Sequence, residues 1–123
     1  LSATDTGSNN DPIIVNNTGN AIVEINITAV NLRGMDNTNY FIFANNFTVD
    51  NVTAGCSGTT MQNDTSLKVG NALLGRGNNS LNYENSTSGQ ETLYLCLKGL
   101  PQEISAQEYS TSGTDDWVVQ IVY

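Results

Sequence analysis

Seven Asn-x-Ser/Thr sequons occur in the chain, and each offers an Asn to which an N-linked glycan can be attached. Eighteen Asn and twenty-four Ser plus Thr among 123 residues would give roughly three or four sequons by composition alone. Because N-glycans are added to chains that have left the cytoplasm, the excess indicates an extracellular or cell-surface glycoprotein. The predicted acceptors are Asn16, Asn26, Asn46, Asn51, Asn63, Asn78 and Asn85.

The two cysteines, Cys56 and Cys96, are predicted to form a disulfide, the alternative being two free thiols. An exported chain favours the bridge, because secreted proteins fold under oxidising conditions. Closing a loop of about 40 residues stabilises a fold by about 4 kcal/mol in the chain-entropy description. Two cysteines in a chain without histidine cannot build a zinc site.

The charge balance excludes several partners. The formal net charge is −8, with four cationic residues, Arg33, Lys68, Arg76 and Lys98. Phosphate backbones and anionic membrane surfaces both require many more cations, so we expect no nucleic-acid partner and no membrane-surface binding. No apolar stretch reaches membrane-spanning length. Residues 1–5 lack the charged-then-apolar pattern of a signal peptide, so we expect a processed chain or a piece of a longer one.

Enzymatic chemistry is not predicted. The chain has no histidine to act as a general base, no nucleophile-elbow motif and no phosphate-binding glycine loop. A glycosidase pair among its twelve Asp and Glu is less favoured than scattered surface acids. Calcium is a minor alternative, because residues 36–39, 50–51 and 115–116 offer carboxylate and amide oxygens without EF-hand spacing. We therefore expect no cofactor and no metal.

Two segments show the period-two alternation of half-buried strands. In residues 21–31, Val23, Ile25, Ile27 and Ala29 share one face and the acceptor Asn26 lies on the other. In residues 40–49 three phenylalanines share one face, and the acceptor Asn46 lies opposite them. Both acceptors are therefore predicted to point away from the core, where a glycan can be accommodated.

A third alternating segment, residues 91–98, carries one of the cysteines. Leu93, Leu95 and Leu97 share the face expected to point to the core, which places Cys96 on the outer face. The disulfide is then expected to hold the loop around Cys56 against the outside of the sheet. It is not expected to cross the core.

The remaining pattern is one of short strands and turns. Strand candidates occur at residues 66–69, 72–74, 80–84, 105–110 and 117–123, and Gly-Asn pairs at residues 19, 70 and 77 suit tight reversals. With no helical period, about eight strands predict an all-β fold, an antiparallel Ig-like β-sandwich with an extended N-terminal arm. We expect an arm at residues 1–15 and a single domain at residues 16–123. The immunoglobulin hallmark is absent, since Trp117 follows both cysteines.

The two end strands raise the question of assembly. Residues 1–11 are polar and precede a short apolar piece, Ile13, Ile14 and Val15, which either pairs within its own domain or is donated to a neighbour. The last strand, residues 117–123, is strongly apolar and is expected in the middle of a sheet. The alternatives are that it pairs with a neighbouring molecule or that the chain was cut there.

Residues 91–101 (ETLYLCLKGLP), residues 104–113 (ISAQEYSTSG) and Trp117, with the upstream turn at residues 17–20 (NTGN), carry a resemblance. From Asn17 to Tyr123 the chain resembles Ig-like β-sandwich domains of archaeal secreted surface glycoproteins, which include donor-strand pilus subunits. The resemblance implies a glycosylated cell-surface or filament component. The chain departs from type IV pilins, which have a long apolar N-terminal helix.

These features together predict a structural subunit of an extracellular glycosylated filament. Its expected partner is itself, joined head to tail by donation of residues 13–15, with glycans coating the outside. The alternative is a carbohydrate-binding or adhesive β-sandwich module of a larger surface protein. In that case exposed rings would stack on sugars, the candidates being Tyr40, Tyr83, Tyr94, Tyr109 and Trp117.

Overall fold

The computed structural model describes residues 12–17, 19, 21–52, 56–72, 90–100, 102–113 and 115–122. Ten strands and one short 3-10 helix (Ala44–Asn46) occur in these ranges. None of the described segments forms a helix long and apolar enough to cross a membrane. The strands are β1 (Ile13–Asn16), β2 (Val23–Ala29), β3 (Leu32–Gly34), β4 (Phe41–Ile42), β5 (Phe47–Asp50), β6 (Thr59–Thr60), β7 (Thr65–Ala72), β8 (Gln90–Leu97), β9 (Tyr109–Ser110) and β10 (Val118–Val122).

Strand β2 is the centre of a three-stranded antiparallel sheet with the order β10-β2-β7. Its alternation confirms the prediction, because Ile25 and Ile27 are fully buried while Glu24 is exposed on the opposite face. The pairing with β7 contains an irregularity between Ile25 and Asn26. One buried face fixes the register, because a slip of one residue would turn the whole apolar set to solvent.

The second sheet has four strands in the order β1-β8-β5-β6. The predicted strand at residues 91–98 is confirmed as β8. Leu93 is fully buried in the core, and Leu95 packs against it. The alternation of apolar residues therefore predicted correctly which face of β8 points to the core.

The segment at residues 40–49 is not one strand, and this prediction was wrong. A 3-10 turn divides it, so that β4 joins a third sheet, β4-β3-β9, while β5 joins the four-stranded sheet. Since the turn shifts the side-chain period, Phe43 is 49% exposed while Ala44 is fully buried. The face of three phenylalanines expected in the core does not exist.

One hydrophobic core joins the four-stranded sheet to the β10-β2-β7 sheet. Val69 from β7 packs in the same cluster as Val49 from β5, together with the buried faces of β2 and β8. Met61, which precedes β7, is also fully buried there. All the named strands pair antiparallel, so the all-β antiparallel class is confirmed, with ten strands in the described ranges instead of about eight.

Several local expectations differ from the structure. Gly70 and Asn71 lie within β7 and do not form a reversal, because both pair with residues of β2. Only Tyr109–Ser110 of the predicted strand at residues 105–110 is extended, and the Tyr109 hydroxyl donates a hydrogen bond to the Ser105 carbonyl at 2.8 Å. Residues 73–89 lie outside the described residues, and with them the strand expected at residues 80–84, most of the strand expected at 72–74 and the Gly-Asn reversal at residue 77.

Candidate functional site

Strand β10 is an apolar strand at a sheet edge. Within the described ranges it pairs with β2 alone, so it lies at the edge of the described sheet and not in the middle of a sheet, where the sequence had led us to expect it. Val118 and Val122 lie on the outer face, opposite Thr28 and Glu24. Val119 and Ile121 lie on the core face, yet all four side chains are 41–47% exposed. An uncharged, β-branched edge of this kind is a template for pairing with another strand.

Strand β1 is also at a sheet edge. It pairs antiparallel with β8 of the same chain, with Ile13 opposite Leu93. Thus the apolar N-terminal piece adopts the within-chain pairing in this structure, and the domain boundary expected after residue 15 falls inside β1. Ile13 and Val15 pack against the core, while Ile14 is 56% exposed. No other strand pairs with β1 in the described part of the chain.

The disulfide joins Cys56 to Cys96 across a sequence separation of 40 residues, as predicted. Cys96 lies in β8 opposite Thr48 of β5, on the face away from Leu93. Although this is the outer face, Cys96 and Thr48 are 8% and 1% exposed. Cys96 and its neighbour on the outer face are therefore buried, and the bridge ties the Cys56 segment to β8 outside the central core.

Three predicted glycan acceptors have exposed side chains. Asn16 ends β1, Asn51 follows β5, and Asn63 precedes β7. The Asn63 side-chain oxygen accepts a hydrogen bond from the backbone N–H of Asn31 at 2.8 Å. This bond fixes the side chain without using its NH₂ group, the atom to which a glycan is linked.

Two other acceptors are half-buried. Asn26 lies on the outer face of β2 as predicted, but its side-chain oxygen is buried and has no hydrogen-bond partner in the described structure. Asn46 lies in the 3-10 helix, and the Thr48 hydroxyl of its sequon is buried without a partner among the described residues. Asn78 and Asn85 lie outside the described residues.

A polar cleft lies beside the start of β4. Its larger lobe, about 510 Å³, is lined by Val30, Asn31, Phe41, Asn63, Asp64, Gly113 and Asp115. A smaller lobe of about 180 Å³ shares Asn31 and Asn63 and adds Phe43, Asn45 and Gln62. We call these two lobes together the amide cleft. The rings of Phe41 and Phe43 stack with centroids 6.3 Å apart and an interplanar angle of 21°.

Hydrogen bonds hold the floor of the amide cleft in place. The Asn31 side-chain oxygen accepts a hydrogen bond from the Ala44 backbone N–H at 2.8 Å. The Asn31 backbone N–H in turn donates to the Asn63 side-chain oxygen. The Asp64 amide donates to the Ala29 carbonyl at 2.7 Å, and Asp64 has a φ of 54°. A left-handed backbone at a residue other than glycine costs conformational energy and persists only where its surroundings hold it.

The residues considered as a minor calcium alternative do not form a metal site in the described structure. Among the described residues no three carboxylate, cysteine or histidine side chains form a group suited to a metal ion. Asp50 accepts a bond from the Val52 amide at 3.2 Å, and Asp116 from the Thr111 hydroxyl at 3.4 Å. These acids therefore take part in local turn contacts.

The described rings that the alternative function would use lie in or beside four different strands, with Tyr40 before β4, Tyr94 in β8, Tyr109 in β9 and Trp117 before β10. Trp117 packs edge-on against Phe47 at 5.3 Å, and its indole donates to the Val30 carbonyl at 2.8 Å, so it belongs to the packing of the domain. Tyr83 lies outside the described residues. The aromatic residues of the amide cleft, Phe41 and Phe43, were missed because strict alternation assigned both to the core. The adjacent Asn pair at residues 45–46 is the signal that could have indicated the break, since Asn favours turns.

Neither the strand edges nor the amide cleft can be interpreted through a relative. The chain matches no protein-family model, no curated protein and no solved structure. Its function must therefore be inferred from its own edges, disulfide, acceptors and cleft.

Proposed function

We propose that the protein is a structural subunit of an extracellular glycosylated filament, in which β1 of one copy pairs with β10 of the next. The observation that carries the proposal is the exposed apolar edge at β10. Four apolar side chains remain 41–47% exposed on a strand whose outer edge has no partner among the described residues. Natural proteins usually protect such an edge with charge, proline or a bulge, and β10 has none of these.

The two edges are compatible in chemistry. Strand β1 has the sequence IIVN and β10 the sequence VVQIV, so neither carries a charge. In a chain of net charge −8, copies repel one another at a distance, and contact is least unfavourable through uncharged edges. Backbone hydrogen bonds between the strands supply direction, and alternating side chains supply register. Ile14, which is exposed on β1, gains apolar contacts in such a pair.

Pairing of β1 with β10 joins two different surfaces of the same molecule. A contact of this kind is heterologous, so repetition gives an open filament when the rotation does not close a ring. Pairing of β10 with a second β10 would instead be isologous and would stop at a dimer. The two arrangements therefore predict assemblies of different size.

The covalent features fit a protein that works outside the cell. The disulfide is of the kind that persists in oxidising compartments. Asn16 shares a face of β1 with Ile14, so a glycan on Asn16 would project from the sheet face and leave the backbone edge accessible. Glycans on Asn51 and Asn63 would cover other exposed surface and hinder sideways aggregation of filaments.

The experiment is electron microscopy and sedimentation of the full chain at physiological salt, comparing it with a variant carrying Val118→Lys and Val122→Lys. Both positions face outward, so the fold should survive. Burying the exposed 42–45% of these two side chains contributes about 1–3 kcal/mol per contact. Loss of this apolar contribution in the double variant should raise the protein concentration needed for assembly about tenfold or more. Val52→Lys is the matched control, because Val52 is 56% exposed outside any strand.

Filaments from the wild type and from Val52→Lys, with none or far fewer from the double variant, would support the proposal. The Ile14→Lys change in β1 should weaken assembly as well, which separates the head-to-tail contact from a symmetric β10 pair. A wild-type chain that remains monomeric, or stops at a dimer insensitive to Ile14→Lys, would contradict it.

A further inference from the structure

We propose that the amide cleft is a carbohydrate-binding site, in which a neutral sugar stacks on Phe43 and forms hydrogen bonds with the surrounding amides. None of the residues that line the cleft belongs to β1 or β10, so this inference does not depend on strand pairing. Phe43 lines the smaller lobe, about 180 Å³, which shares Asn31 and Asn63 with the larger lobe. The larger lobe, about 510 Å³, is within the size range of small-molecule sites, roughly 300–1,000 Å³.

The lining of the cleft selects the class of ligand. Asp64 places a carboxylate in the larger lobe, which disfavours an anion there. The many amide and carboxylate groups disfavour a purely apolar ligand, because their desolvation would not be compensated. A sugar satisfies both requirements, since its hydroxyls donate to carboxylates and accept from amide NH₂ groups. Its apolar ring face can cover Phe43, which is 49% exposed.

The donors of the cleft are already oriented. Asn31 and Asn63 each use the side-chain oxygen to accept a backbone N–H. Within the described residues no acceptor takes a hydrogen bond from either side-chain NH₂ group, so both are available to a ligand. Groups held in place before binding lose little conformational entropy when the ligand arrives. The left-handed backbone at Asp64 is a further sign that this corner is held in a defined shape.

Two sources can supply the same sugar chemistry. Asn63 is itself a sequon residue, so a glycan linked to it would place its first sugar beside the cleft. A glycan from another molecule could enter the cleft when Asn63 is unmodified. A linked glycan uses the Asn63 side-chain nitrogen for its covalent bond, so a tethered sugar is held by Asn31 and the Phe43 ring. A sugar from another molecule also meets the Asn63 NH₂ group.

The test uses the full chain, produced with its disulfide in a host that lacks N-glycosylation. Maltose, α-1,2-mannobiose and N,N′-diacetylchitobiose are titrated to millimolar concentration while the side-chain amide NMR signals are followed. We expect the signals of Asn31, Asn45, Gln62 and Asn63 to shift together with at least one probe. Phe43→Ala should weaken binding up to about tenfold, because aromatic contacts supply that much affinity.

Two variants separate sugar binding from general damage. Phe43→Leu keeps an apolar side chain but removes the flat ring, so it should weaken binding as well. Tyr40→Ala changes a ring that is 36% exposed and does not line the cleft, so binding should be retained. The backbone amide spectrum away from the cleft reports that each variant is folded.

The glycosylated chain distinguishes the two sources. If contacts between sugar protons and the Phe43 ring appear in that form and the added probe no longer binds, the cleft holds the Asn63-linked glycan. If the probe still binds to the glycosylated chain, the cleft takes sugar from another molecule. Absence of shifts with all three probes, or equal losses in Phe43→Ala and Tyr40→Ala, would overturn the proposal.

Discussion

Removal of the disulfide should produce a large loss of stability, whose size follows from the length of the loop that the bridge closes. We consider the double change Cys56→Ala and Cys96→Ala, which avoids leaving a hydroxyl in the buried position of Cys96. The bridge closes a loop of 40 residues, and the chain-entropy relation gives about 4 kcal/mol for a loop of that length. The sulfur of Cys96, which is 8% exposed, adds a smaller loss of packing.

Urea unfolding of the oxidised wild type and the double variant measures this loss. The unfolding free energy should fall by about 4 kcal/mol, and the melting temperature by roughly 10–20 °C. The urea m-value should rise, because the unfolded chain without the bridge exposes more surface. Ser57→Ala, next to Cys56 and exposed, is the control and should change stability by less than about 0.5 kcal/mol.

The reasoning would be refuted by a loss below about 1 kcal/mol with an unchanged m-value. Such a result would mean that the loop between the two cysteines does not gain freedom when the bridge is removed. A loss well above the estimate with an unchanged m-value would place the contribution in the native state. The burial of Thr48 beside Cys96 would then be the contact to investigate.

Three further predictions concern the core and the acceptors. Ile27→Ala should lower the unfolding free energy by about 2–5 kcal/mol in urea titration, because the side chain is 1% exposed at the centre of the core. Trp117→Phe should cost about 1–3 kcal/mol in the same assay, since the buried Val30 carbonyl loses its donor, and a smaller change would mean that water replaces the indole. Peptide mapping of glycans should find Asn46 less occupied than Asn51 if the transfer follows folding, because the Thr48 hydroxyl is buried, and equal occupancy would show that transfer precedes folding.

The sequence determined the strands that have one face in the core and the other toward solvent. Val23 and Ile25 alternate with Glu24 and Asn26, and the structure buries that apolar set in β2. The leucines of β8 follow the same rule, and the pairing of Cys56 with Cys96 was the one bridge that two cysteines allow. Alternation is readable because it reflects the local geometry of an extended backbone.

The tertiary structure decided what the sequence could not. Strand order is set by pairing between distant segments, so the edge position of β10 and the within-chain pairing of β1 are invisible to a local pattern. The 3-10 turn before Phe47 moved Phe43 out of the core and into the amide cleft. That cleft exists because the chain brings Asn31 and Asn63 into contact across 32 residues of sequence, and such a meeting depends on how the sheets pack.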